Sequence, residues 1–182
     1  MNNIERKRDP MPLPKKFYQA LSLVVMGLVL LGCSVEANTP EATVKKLADW
    51  YLKNGFKEGY SALLKVEDAK PLFDPAVIRL LAEAKVERDR QIKAHPGDKP
   101  AFVDNTLITG FQDRVDQYRI LETRQWGEIA HSELAWAALG DKTFYDTKVL
   151  LRKTPEGWRI TDIIYDENYP ANRLTEALRI DH

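Results

Sequence analysis

The sequence predicts an α+β fold in which helices cover one face of an antiparallel sheet. Apolar residues recur every three or four positions in the first half of the chain and every second position in the second half. A turn signal with proline and glycine, Thr154 to Gly157, joins two of the alternating segments. Helices followed by a run of strands are typical of an α+β domain. The roughly 150 residues from Cys33 onwards are enough for one core.

The first helix is predicted to begin at Thr39-Pro40-Glu41. This start offers a hydroxyl N-cap, a proline where a missing N–H costs nothing, and an acid at the positive end of the helix dipole. Asn54-Gly55 ends the helix. Its apolar face is formed by four residues at helical spacing: Val44, Leu47, Ala48 and Tyr51.

The second helix starts at Asp74-Pro75, after a short helical turn expected at Tyr60 to Leu64 and a break at Pro71. Its buried stripe is narrow and consists of Val77, Leu80, Leu81 and Ala84. Beyond this stripe most residues are charged, which predicts either a solvated projection or a rim that binds a partner. His95 to Asp98 ends the helix.

Pro100 to Asp113 is expected to be a loop whose apolar residues cross the sheet face, and Leu139 to Asp141 is expected to be a turn. The residues of alternating period predicted to face inward are Tyr118, Ile120, Ala130, Ser132, Leu134, Trp136, Tyr145, Thr147, Val149, Leu151, Trp158 and Ile160. The alternation breaks after Ile160, which predicts a β-bulge near Asp162. Pro170 to Ile180 is predicted to form a short closing helix, capped by Asn172. Its inward residues are Leu174, Ala177 and Leu178.

The residues ahead of these elements have the pattern of a processing signal. Lys15 and Lys16 precede an apolar run from Ala20 to Leu31, which is too short for a transmembrane helix. Leu30-Leu31-Gly32-Cys33 resembles a bacterial lipobox, in which the cysteine becomes acylated. An uncleaved anchor and a plain secretory signal share the basic start and the apolar run, whereas Gly32-Cys33 favours a lipoprotein.

The predicted organisation is therefore a signal peptide at residues 1–32, a tether at 33–38 and a single domain at 39–182. Translation begins at either Met1 or Met11. By analogy with known lipoprotein sorting, Ser34 in place of an aspartate indicates the periplasmic leaflet of a Gram-negative outer membrane.

Composition excludes several classes of function. Removal of residues 1–32 takes five of the 27 basic and two of the 27 acidic residues, so the formal charge becomes −3. Such a chain offers no basic field for nucleic acid. Cys33 is the only cysteine, and once it is acylated disulfides, thiolate metal sites and cysteine nucleophiles are excluded.

Four segments of the chain, Thr43–Leu52, Gly110–Asp113, Lys148–Leu151 and Gly157–Ile163, resemble the domain-of-unknown-function family numbered 3828. The resemblance covers most of the chain after Cys33. It implies a cystatin-like or nuclear-transport-factor-two-like cone, a curved sheet wrapped around a long helix. It also implies a bacterial envelope lipoprotein without assigned activity.

Candidate site residues fall into two sets. Gln112 and Asp113 follow an apolar residue at the entrance to the sheet, where they either brace the loop or contact a ligand. Aromatic residues either line a pocket or form the core; those singled out are Trp50, Tyr118, Trp136 and Trp158, with Tyr51 and Tyr145 beside them. His131 and Glu133 lie two apart on one strand, as a carboxylate-oriented base requires, but on the face opposite Trp136.

No nucleophile elbow, zinc-protease motif or phosphate-binding glycine loop occurs in the sequence, and its three histidines are scattered. We therefore expect no enzyme activity, no metal and no cofactor. The leading hypothesis is an envelope lipoprotein that is held by lipid at Cys33 and binds another envelope protein. The binding surface would be the exposed sheet face or the charged end of the second helix. The alternatives are a small-molecule pocket or weak enzyme of the cone type, and a periplasmic immunity protein against a toxin.

Overall fold

The computed structural model describes residues 38–54, 67–98, 107–110, 114–138, 140, 144–165 and 172–179. The chain divides into two units, Met1–Glu36 and Ala37–His182, and all described residues belong to the second. Cys33, Gln112, Asp113, the expected turn at Tyr60 to Leu64 and most of the predicted loop from Pro100 lie outside the described residues.

Helix α1 spans Pro40–Asn54 and begins as the sequence predicts. The hydroxyl of Thr39 accepts a hydrogen bond from the backbone N–H of Ala42 at 3.1 Å, which satisfies one of the free donors of the first turn. The predicted apolar face is confirmed, since all four of its residues are buried: Val44, Leu47, Ala48 and Tyr51.

Helix α2 spans Pro75–Ala94 and follows a single 3₁₀ turn at Lys70–Leu72. Asp74 is its N-cap and accepts from the N–H of Ala76 at 3.0 Å. The second half of the helix projects into solvent, because Val86 is 70% exposed and the charged residues pair along the helix, as Lys85 and Asp89 do at 2.6 Å. The expected buried stripe is confirmed except at Leu80, which is only partly buried.

Four strands form one antiparallel sheet in the order β1-β2-β3-β4. Their bounds are Val115–Trp126, Ile129–Ala138, Phe144–Thr154 and Gly157–Ile164. Thr161 is an extra residue in β4, because Leu150 pairs with Asp162 while Leu151 pairs with Ile160. This confirms the bulge predicted near Asp162. Strand β1 has two further irregularities against β2: Asp116 is an extra residue between Val115 and Gln117, and Leu121 is an extra residue after Ile120. Bulges increase the local bend of a sheet, which is consistent with a curved one.

One core lies between the helices and the inner face of the sheet. The alternating residues of β2 predicted to face inward are all buried, and Val149, Leu151, Trp158 and Ile160 continue the core across β3 and β4. Leu107 and Ile108 are buried too, as expected for the described part of the apolar loop. The hydroxyl of Tyr165 donates to the carbonyl of Leu107 at 2.7 Å and holds this loop against the core.

Tyr145 lies on the inner face as predicted, but its side chain is 38% exposed. Its strand partner is Trp136, and the rings that cover Trp136 come from α1 and β1, on the side away from β3. Tyr145 therefore lies beyond the part of the inner face that the helix covers.

The closing helix α3 is shorter than expected and spans Leu174–Ala177. Leu174 and Leu178 are buried as predicted, but Asn172 is not the cap. Its carbonyl instead accepts from the N–H of Tyr165 at 2.9 Å. Asp162 caps the helix from the neighbouring strand, since its carboxylate accepts from the N–H and the hydroxyl of Thr175 at 3.0 and 2.8 Å.

The structure confirms the α+β class, with helices followed by a four-stranded antiparallel meander and a short C-terminal helix. Within the ranges described above, no helix is long and apolar enough to cross a membrane.

Candidate interaction surface

The aromatic residues proposed as pocket or core meet at the end of the sheet where β1 begins and β2 ends. Trp136 is fully buried, with the ring of Tyr51 edge-on to it at 5.5 Å and the ring of Tyr118 tilted against it at 6.1 Å. Its indole N–H donates to the hydroxyl of Thr147 at 3.0 Å, so the one polar atom of the ring has a buried partner. Full burial and a satisfied N–H describe a core residue.

The acid in contact with this cluster is Asp49, at its solvent-exposed rim. The hydroxyl of Tyr118 donates to Asp49 Oδ1 at 2.6 Å, and Lys45 pairs with the other carboxylate oxygen. Burial, together with the hydrogen bond and charge of Asp49, raises the pKa of Tyr118 to about 12. Burial opposes ionisation of Asp49, but the hydrogen bonds from Lys45 and Tyr118 outweigh it and lower the pKa of Asp49. The phenol stays protonated and acts as a structural donor.

The remaining aromatic candidates do not join this cluster. Trp158 is buried on β4, at the opposite end of the sheet from Trp136 and separated from β2 by β3. Trp50 is half-buried on α1 and packs against the core. The structure thus brings together Tyr118 and Trp136 of the four singled out by sequence.

His131 and Glu133 both lie on the outer face of β2, the face opposite Trp136, as the alternation predicts. The ring of His131 is edge-on to that of Trp126 at 5.1 Å. Glu133 lies 3.9 Å from Lys148 on the next strand. Each therefore contacts a cross-strand neighbour on the outer face.

The middle of the outer face carries charges of both signs in adjacent positions. Glu122 of β1 pairs with Arg124 of the same strand at 2.7 Å and lies directly opposite Glu133, which is 3.9 Å from Lys148. Farther along the face, the guanidinium of Arg119 stacks over the ring of Phe144 at 3.8 Å.

The two edges of the sheet differ. Along the edge of β4, the N–H of Asp74 donates to the carbonyl of Ile160 at 2.8 Å, and Arg173 forms a bridge with Ile164. No such bridge occurs along the edge of β1 among the residues that the structure describes. Leu121, the extra residue of the β1 bulge, is 51% exposed on this edge. Strand β1 is thus a twelve-residue edge with free backbone groups in the described part of the chain.

The hairpin between β1 and β2 ends in an exposed apolar pair that the sequence analysis missed. Trp126 and Ile129 pair directly across the hairpin and are 53% and 58% exposed. The two residues between them begin with Gly127, whose φ is +61°. A glycine at the first position of a two-residue loop between apolar runs is a hairpin signal, and it could have placed this pair at a tip.

The two buried acids outside this surface have structural partners. Asp74 caps α2 and pairs with Arg152, and Asp162 caps α3 and lies 2.9 Å from Arg173. No cluster of metal-ligating side chains occurs among the described residues.

Comparison with known proteins finds no family and one weak structural similarity. No family model matches the chain, and no curated protein does either. One chain of the crystal structure of the type VI native effector-immunity complex Tae3-Tai3 from Ralstonia pickettii is similar at 18% identity and a TM-score of 0.43. The match covers 73% of the present chain and 99% of that chain. Membership of the family numbered 3828 stays a prediction.

Proposed function

We infer that the chain is a non-catalytic lipoprotein of the bacterial envelope that binds another envelope protein along the open edge of β1. The observation that carries this is the contrast between the edges: β4 is bridged at Ile160 and Ile164, whereas β1 is free among the described residues. A free edge can pair with a strand of another chain and so promote aggregation. Proteins that keep a free edge usually limit which strands can pair with it by means of charges and bulges. Strand β1 has both, with Arg119 and Arg124 on either side of the bulge at Leu121.

The kind of partner that can bind this edge is an extended strand that pairs with β1. An added strand gains affinity from the backbone N–H and C=O groups and specificity from alternate side chains. The irregularities at Asp116 and Leu121 interrupt β1, so a partner pairs with one of the uninterrupted segments or carries a compensating irregularity. The neighbouring charges Arg119, Glu122 and Arg124 favour a partner with charges of opposite sign at those positions.

The hydrogen bonds that the acidic side chains accept support the proposal that the protein is not an enzyme. Asp74, Asp162 and Asp49 each accept hydrogen bonds from named structural partners, and Trp136 is fully buried against Tyr51 and Tyr118. A pocket of the cone type would need an aromatic-lined space with a buried acid in it. Asp49, the acid bonded to Tyr118 in this cluster, is exposed, which favours the binding role.

Site-specific photo-crosslinking in intact envelopes tests the proposal. A photoreactive residue at Leu121 or Glu122 should give one defined product with an envelope protein. The same residue at Val86, which is also exposed but lies on α2, is the matched control and should give none. A product from Val86 alone would move the binding surface to the charged end of α2 and contradict the proposal. No product from any position would contradict a stable partner.

The identity of the crosslinked protein also separates the kinds of partner. A resident envelope protein supports an accessory role. A toxin delivered by neighbouring bacteria, with sensitivity of a deletion strain to those bacteria, would instead support the immunity hypothesis. Replacement of Cys33 by Ser should release the folded domain from the membrane fraction, because lipid at Cys33 is the proposed anchor.

A further inference from the structure

The exposed pair at the β1–β2 tip belongs to a row of four side chains across the end of the sheet. Trp126 pairs with Ile129, Ile129 with Arg152, and Arg152 with Arg159. Residues directly paired across antiparallel strands project to the same face. The outer face therefore ends in a row that is apolar on β1 and β2 and basic on β3 and β4.

Two arginines directly opposite each other repel, so other contacts must offset the repulsion between Arg152 and Arg159. Arg152 is drawn to Asp74, while the guanidinium of Arg159 donates to the carbonyls of Trp158 and Glu156 at 3.1 and 3.4 Å. A hydrogen bond from Thr154 and the charge of Arg159, which also acts on the exposed carboxylate of Glu156 in the adjacent turn, lower the pKa of Glu156. Lys153, exposed beside this row, adds a further positive charge at the same end.

The chain from the lipobox enters the domain at this same end of the sheet. The side-chain oxygen of Asn38 accepts from the N–H of Trp158 at 3.4 Å and lies against Gly157, where a Cβ would approach it to 2.8 Å. The two hairpin turns are adjacent, since the N–H of Lys153 donates to the carbonyl of Glu128 at 2.7 Å.

Covalent geometry then limits how far this end can lie from the lipid. Five residue steps separate Cys33 from Asn38, and at about 3.6 Å each they span at most about 18 Å. Three strand spacings of about 4.8 Å separate β1 from β4, so Trp126 is about 14 Å from the strand that Asn38 contacts. The tether therefore keeps the end of the domain at Asn38 within about 18 Å of the bilayer surface, close enough for the tip to reach it.

We propose that the row of Trp126, Ile129, Arg152 and Arg159 rests on the lipid surface as a second attachment beside the acylated Cys33. Tryptophan prefers the headgroup level of a bilayer, where its ring is apolar and its N–H is hydrated. Arginines near an anionic leaflet are attracted to its headgroups. Contact between this row and the lipid surface orients the domain, so that the open edge of β1 extends away from the membrane. The inference rests on the anchor of the proposed function.

The test uses the lipidated protein in vesicles of phosphatidylethanolamine and phosphatidylglycerol, with brominated acyl chains as a fluorescence quencher. We expect quenching of tryptophan emission that is lost in Trp126→Phe and retained in Trp50→Phe, the matched control. Trp136 and Trp158 are buried and contribute little to quenching. Exchange of phosphatidylglycerol for phosphatidylcholine should reduce the quenching, and Arg159→Gln should remove that lipid dependence.

The mass of the protein separates failure of the anchor from failure of the inference. A mature protein without acyl chains overturns the anchor and the lipid contact together. An acylated protein whose Trp126 is not quenched overturns the lipid contact alone and leaves the anchor in place. Protection of Trp126 in native envelopes but not in pure lipid vesicles would assign the tip to a protein partner and also overturn the lipid contact.

Discussion

The two edges of the sheet show how this domain separates stability from binding. The edge of β4 is bridged by the segments before α2 and before α3, and its two acids, Asp74 and Asp162, each combine a helix cap with an ion pair. The edge of β1 has neither bridges nor caps in the described residues, and its bulge exposes Leu121. Substitutions along β4 should therefore act on folding and those along β1 on association.

Removal of the carboxylate of Asp162 is the substitution with the largest expected effect. In Asp162→Ala the N–H groups of Thr175 and Ile163 lose their acceptor and Arg173 loses its counter-charge. Breaking a buried charged network of this kind costs about 3 kcal/mol of unfolding free energy. Urea denaturation measures this. A loss of unfolding free energy as small as that of an exposed substitution, within about 0.5 kcal/mol, would show that α3 is not held through this carboxylate.

Asp74→Asn should cost less, about 1 kcal/mol at neutral pH, because Asn still caps α2 and the lost partner Arg152 is half exposed. Burial raises the pKa of Asp74, but the Ala76 N–H and Arg152 outweigh it, so the pKa lies below its ordinary value of 3.8. A lowered pKa gives stability that is present above the unfolded value and is lost as pH falls through the folded one. The difference between wild type and variant should thus shrink below about pH 4. A difference that stays constant down to pH 2 would contradict the assignment.

Helix starts and the bulge could be predicted from sequence because their causes are local. Thr39-Pro40 and Asp74-Pro75 carry their caps within three residues, and the broken alternation after Ile160 records an extra residue in the strand itself. The ion pair of Arg152 with Asp74 joins residues 78 positions apart, so no local pattern contains it. For the same reason the local sequence predicts Asn172 as the cap of α3, whereas Asp162 supplies that cap from β4.

The candidate surface was predictable only in part. Alternation placed His131 and Glu133 on the outer face and Trp136 on the inner one, as the structure has them. Which edge stays open depends on the order of the strands and on the segments that pair with β4. The alternation of apolar residues within a single strand predicts neither of these. Exposure of Trp126 follows from its place on the outer face at the hairpin tip, which Gly127 indicated.

Tyr118→Phe tests the boundary between the buried cluster and β1. Its hydroxyl bonds to the half-exposed Asp49, so the loss should be about 0.5–1 kcal/mol, without an effect on the ring contact with Trp136. A double-mutant cycle with Asp49→Asn should recover most of this as the coupling energy. In wild type, ultraviolet absorbance should show one tyrosine that ionises near pH 12, and Tyr118→Phe should remove it. Additive effects of the two substitutions would contradict the hydrogen bond.

Leu121→Ser is expected to change stability least and binding most. The side chain is half exposed and the bulge leaves it outside the pairing with β2, so its replacement should change the unfolding free energy by less than about 0.5 kcal/mol. Val86→Ser on α2 is the matched control for an exposed aliphatic residue. Under the proposed function, Leu121→Ser should weaken the crosslink from a photoreactive residue at Glu122, and Val86→Ser should leave it unchanged. A large loss of stability in Leu121→Ser would show that the β1 edge is covered in the folded chain, and the two edges would then share the same role.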